Sequence, residues 1–97
     1  MEYEINQTSE FNKWFSKVKD KSVRIKFLAR FARVENGNFG DHKQISPHLY
    51  ELRFRSGPGY RVYYTIQENI IVLLLIGGDK ASQKKDIKRA SEILEEI

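Results

Sequence analysis

The sequence predicts an α+β fold, a small antiparallel-rich sheet in the order β-α-α-β-β-β-β-α with its helices packed on one sheet face. Three observations predict it. Apolar residues recur at helical spacing up to Asn36, the period changes to two from about His42, and helical spacing returns after Gly77-Gly78.

Each element has its own signature. EYEIN (residues 2–6) alternates in polarity and reads as a short first strand. Thr8 or Ser9 can cap a helix in which Phe11, Trp14, Phe15 and Val18 share a face, running to about Lys19. Asp20 breaks and recaps the chain, and a second helix follows from about Lys21 to Asn36. Its expected apolar face is Val23, Phe27, Leu28, Phe31 and Ala32, with Lys26, Arg30 and Arg33 opposite, and Asn36-Gly37 is its stop. HKQIS, LYELRFR, YRVYYTI and NIIVLLLIG then read as four strands separated by turn residues. IIVLLLI (70–76) is uniformly apolar, which marks it as the central strand. Asp79 or Ser82 caps a last helix carrying Ile87, Ala90, Leu94 and Ile97.

At 97 residues the chain is read as one domain, 1–97, with no repeat or linker. A composition 40% hydrophobic and 31% charged argues against disorder. The absence of cysteine excludes disulfides and thiolate metal sites, and no metal or other cofactor is implied. The N-terminus has no apolar signal-peptide region, and the longest apolar run is seven residues. A soluble, cytoplasmic protein with no membrane partner is therefore expected. The net charge of +4 favours a polyanionic partner, and its placement says more than its size. Positive charge gathers on the second helix, on the hairpin YELRFRSGPGYRVYY and at the start of the last helix.

Strand alternation sorts that hairpin into two faces. Tyr50, Leu52 and Phe54 belong with the core, as do Tyr60, Val62 and Tyr64. The other face carries Glu51, Arg53, Arg55, Arg61 and Tyr63, with Thr65. Guanidiniums crowded on two neighbouring strands repel, by about 1 kcal/mol at roughly 4 Å in water. A bound anion relieves that repulsion, and Arg is shaped to hold phosphate oxygens in pairs. The alternative is an open sheet face with solubilising charges. The Gly77-Gly78-Asp79-Lys80 corner adds a helix N-terminus, with Lys80, Gln83 and Lys84 in its first turn. Were the patch to cleave RNA, arginine could stabilise charge but not act as base, leaving Glu51, Lys80 and Tyr63 as proton carriers. His48 has the core parity of Tyr50 and Leu52, and His42 lies at a turn or strand start, so no pair of histidines is available for catalysis.

The element order, the GPGYRVYY hairpin and the LLLIGGDKASQKKDI corner resemble the RelE/ParE superfamily of type II toxin–antitoxin toxins, and most closely its HigB-like "addiction module killer protein" branch. The likeness covers essentially the whole chain. It implies a RelE-like fold and an endoribonuclease, an mRNA interferase that cuts mRNA on the ribosome and is held inactive by a cognate antitoxin with a helix-turn-helix domain. It further implies catalytic roles for Arg53, Arg61 and Lys80. Glu51 stands where the prototype has a lysine, and no tyrosine follows Ile66, so the prototype's proton transfers do not carry over. Members that use a glutamate imply Glu51 as the base. Arg55, Tyr63, Gln83, Lys84, Lys26 and Arg30 are the expected RNA contacts. Two other functions stay open: a ParE-like inhibitor of DNA gyrase, and a non-catalytic module that binds RNA or ribosomes.

Overall fold

The computed structural model describes residues 2–97. The described elements are β1 (Glu4–Gln7), α1 (Ser9–Ser16), α2 (Lys21–Glu35), β2 (His42–Ser46), β3 (Leu49–Arg53), β4 (Arg61–Gln67), β5 (Ile71–Gly78) and α3 (Gln83–Glu96). The α+β class and the element order are as expected. The strands form one sheet in the order β1-β5-β4-β3-β2. β1 runs parallel to β5, and the other neighbours are antiparallel. No helix among the described residues is long and apolar enough to cross a membrane.

Helix starts follow from local chemistry. The Thr8 hydroxyl accepts from the Phe11 amide at 3.0 Å and donates to the Leu75 carbonyl at 2.6 Å, so one side chain both caps α1 and ties it to β5. Asp20 caps α2 through the amides of Ser22 and Val23. These helices lay an aromatic cluster on the sheet: Phe11, Phe15, Phe27 and Phe31 with Phe54 and Tyr64, and the Phe27 and Phe54 rings lie 4.4 Å apart.

The helices do not share one face, which corrects the expected packing. Val62, Tyr64, Val72 and Leu74 pack under α1 and α2, whereas Tyr63 and Leu75 pack against Ala90 and Ile93 of α3 on the other side. Alternation sends Leu74 and Leu75 to opposite cores, and a bulge at Leu75, between the pairs Tyr63–Ile76 and Tyr64–Leu74, brings Leu75 and Ile76 to the same side, under α3. The apolar run of β5 therefore reflects cover on both faces. β4 holds the middle of the sheet, and β5 lies between it and β1.

Other expectations change locally. On α2, Leu28 and Ala32 point to solvent and Val34 is buried instead. On α3, Ile93 takes the buried place expected of Ile97, which is exposed. β3 stops at Arg53, two residues early, and His48 sits exposed in the turn before β3, where strand parity no longer applies.

Two glycines set how closely the helices approach. A Cβ on Gly77 would overlap the Trp14 ring of α1, and one on Gly78 would overlap the Asp86 carboxylate of α3. Arg89 of α3 pairs with Glu10 of α1, linking helices from opposite sheet faces, and also reaches Glu92 and Glu96.

Gly77→Ala is expected to lower stability by about 1–3 kcal/mol, the usual cost of overpacking; an unchanged urea midpoint would contradict that packing. The hydrogen bond from Arg89 holds the Glu10 carboxyl below its ordinary value, despite opposing desolvation. Such a group stabilises above its unfolded pKa, and its contribution is lost as pH falls through the lower folded value. Melting temperatures measured from about pH 6 down to about pH 3 should therefore fall less steeply in Glu10→Gln than in the wild type.

Candidate phosphate site

The β3–β4 hairpin and the β5–α3 corner meet at one end of the sheet. Arg53 is in register with Arg61, Arg61 with Gly78, and Glu51 with Tyr63. The hairpin tip turns through Gly57 and Gly59, both at positive φ, where side chains are strained. The Lys80 amide donates to the Pro58 carbonyl at 3.4 Å, and a Cβ on Gly59 would sit 3.3 Å from both Arg61 Nη1 and Lys80 Cβ. This close packing seats Lys80 next to Arg61, so Arg53, Arg61 and Lys80 are brought together as expected.

Glu51 lies beneath them and is fully buried. Its Oε1 accepts from Arg53 Nε at 2.7 Å and stands 3.9 Å from Arg61 Nε. Its Oε2 accepts from Gln83 Nε2 of α3 at 3.2 Å. Hydrogen bonding to Glu51 is the main cause that raises the Arg53 pKa above the usual arginine value. Arg61 is 13% exposed and Arg53 30%; Arg61 Nη1 donates to the Gly59 carbonyl at 2.8 Å, while its buried Nε makes no hydrogen bond among the described residues.

Other predicted site residues fall elsewhere. Tyr63 was expected to contact RNA, yet it is wholly buried against α3, because the face it shares with Glu51 is covered rather than open. Burial pushes its phenol far above the ordinary range, which removes it as a proton carrier near neutrality. Gln83 faces Glu51 instead of an RNA strand, while Lys80 and Lys84 are exposed. Arg55 leaves the patch: it is 83% exposed and pairs with Asp41 at 2.9 Å. Arg30, expected to contact RNA from the side of α2 opposite its apolar face, instead stacks 4.5 Å over the Phe54 ring and donates to the Arg53 carbonyl at 3.1 Å. Lys26 donates to Ser56 at 2.9 Å, and Lys26, Arg30, Arg33 and Arg55 line a basic groove leading to the hairpin tip.

Sequence reasoning missed the polar cluster at the start of α3. Ser82 Oγ donates to Asp86 Oδ2 at 2.5 Å, and the Ser82 amide donates to Asp79 Oδ1 at 3.1 Å. Burial is the leading cause that raises the Asp86 pKa. The negative charge favoured at this helix N-terminus is thus already supplied by Asp79 and Asp86, so the anion-binding capacity lies with the hairpin arginines and Lys80. The Gly78 preceding the cluster was the available signal, since only glycine leaves room for the Asp86 carboxylate.

Residues 13–95 match the family described as "Phage derived protein Gp49-like (DUF891)". An uncharacterized protein of Haemophilus influenzae is 43% identical over 97 residues, covering 100% of this chain and 98% of the relative. Among solved structures, a free E. coli RelE toxin with two arginines replaced by alanine superposes with TM-score 0.71 at 24% identity, covering 92% of this chain and 98% of that one. The intact E. coli RelBE toxin–antitoxin complex matches with TM-score 0.66 at 25% identity, over 79% of this chain and 95% of that one. With the family match spanning most of its length, the chain belongs to the Gp49-like family, within the RelE-like toxin superfamily.

Proposed function

We propose that this chain is the toxin of a type II toxin–antitoxin pair and acts as a metal-independent endoribonuclease on ribosome-bound mRNA. The observation that carries the reading is the register pairing of Arg53 with Arg61, with Lys80 seated beside them by the Gly59 packing. Two partly buried guanidiniums, with an exposed lysine beside them at one sheet end, suit the charge that builds on a phosphate during attack by a 2′-hydroxyl. In this reading Arg53 and Arg61 stabilise the transition state, Lys80 contacts the same phosphate, and Lys84, Lys26 and Arg55 hold the flanking RNA. An antitoxin partner is supported by the superfamily's toxin–antitoxin complexes, of which the RelBE match is one.

Purified protein, freed of any antitoxin and shown to be folded, is added to a translating extract and new mRNA 5′ ends are mapped. Ribosome-dependent cuts are expected, and Arg53→Ala and Arg61→Ala should each reduce them by about a hundredfold or more. Binding without new ends would replace this reading by a non-catalytic RNA-binding module, and inhibition of supercoiling by a gyrase inhibitor. Lys26→Glu with Arg55→Glu should weaken ribosome association and flatten its salt dependence by roughly one unit of slope per lost phosphate contact. Equal binding by this double variant across salt concentrations would remove the basic groove from the interface.

A further inference from the structure

The hairpin has a charged group that stabilises no phosphate, and its surroundings define a different task for it. Glu51 has no exposed surface, and both of its carboxylate oxygens are engaged, one by Arg53 Nε at 2.7 Å and the other by Gln83 Nε2 at 3.2 Å. A general base must come within roughly 2.6–3.2 Å of the proton it takes, directly or through one water. With no exposed surface, Glu51 could reach such a proton only by leaving the cover of α3. Its bond to Arg53 is made through Nε, on the inner edge of the guanidinium. The Nη groups of this partly exposed side chain make no hydrogen bond among the described residues and stay available to an anion.

We infer that Glu51 is a positioning residue: a buried counter-ion that orients Arg53, and biases Arg61 from 3.9 Å, while Gln83 of α3 holds the carboxylate in place. It does not carry the proton. The inference rests on the phosphate-site reading for its catalytic consequence, but the orientation itself is a property of the free protein. It also makes the docking of α3 a condition for an ordered site, since Gln83 lies in the first turn of that helix. Substituting the carboxylate keeps both guanidiniums and leaves their positive charge uncompensated but frees Arg53 from its orientation, so phosphate attraction and phosphate alignment separate.

The test uses the full chain as wild type, Glu51→Gln and Gln83→Ala, each checked for folding by thermal melting. Arg side-chain Nε–H signals are recorded by NMR, with Arg53→Lys assigning the Arg53 signal. The wild type should show an Arg53 Nε–H protected from solvent exchange, with protection about tenfold lower in Glu51→Gln and reduced in Gln83→Ala. In the translating extract, Glu51→Gln should cleave about 10- to 100-fold more slowly with an unchanged pH–rate profile. Its affinity for a short RNA oligonucleotide should be equal or higher, and Gln83→Ala should shift in the same direction by less. Loss of a limb of the pH profile in Glu51→Gln would restore the carboxylate as base and overturn the inference. Unchanged Arg53 Nε–H protection in both variants would overturn it as well. If the wild type does not cut mRNA, the enzyme reading fails on its own, and the NMR comparison still decides whether Glu51 and Gln83 orient Arg53. Should Glu51→Gln not fold, Gln83→Ala carries both readouts alone.

Discussion

Cover on both faces leaves the interior strands of this sheet without a solvated side, so polar side chains there must find partners inside the protein. Glu51 meets that demand with Arg53 on its own strand and Gln83 from the helix above. The same demand makes Asp86 depend on Ser82, and Gly78 keeps the room that this pair requires. The hairpin, the β5–α3 corner and α3 are joined through these few polar contacts, and Arg53, Arg61 and Lys80 sit on top of them.

The hairpin tip and the helices place cations by separate means. Lys80 owes its position to a glycine that permits close packing, Arg53 to a buried counter-ion, and Arg30 to an aromatic ring and backbone carbonyls. Partial burial removes much of the freedom of Arg61 and Arg53, whereas Lys84 and Arg55, the latter paired with Asp41, stand exposed at the surface. This division separates partly buried charge, suited to a developing transition state, from exposed charge, suited to holding a long polyanion.

Much of the fold was legible because local signals agreed with one another. Thr8 and Asp20 marked helix starts, Phe11 and Phe15 a helix face, and the Gly-Pro-Gly turn a hairpin. The side on which α3 packs was not legible: Ile87, Ala90 and Leu94 show that the helix has an apolar stripe, and β5 is apolar on both faces. That ambiguity passed to the site. Alternation groups Glu51, Arg53, Arg61 and Tyr63 on one face correctly, but helices on a single side would leave that face uncovered, whereas α3 buries Glu51 and Tyr63. His48 and Arg55 escaped the parity rule because the strand ends before or after them.

The sheet closes by pairing the first strand with the last, since Glu4–Gln7 aligns with Ile71–Leu74 across most of the chain. Such distant pairing forms late, because loop closure must precede the contacts that reward it. Vectorial synthesis sharpens this order: the N-terminal helices emerge long before β5 exists, and Gln83 follows later still. In these terms the fold builds its site from one local and one distant piece: the arginines pair within a single hairpin, but the residue that holds their counter-ion comes from α3, the last described element.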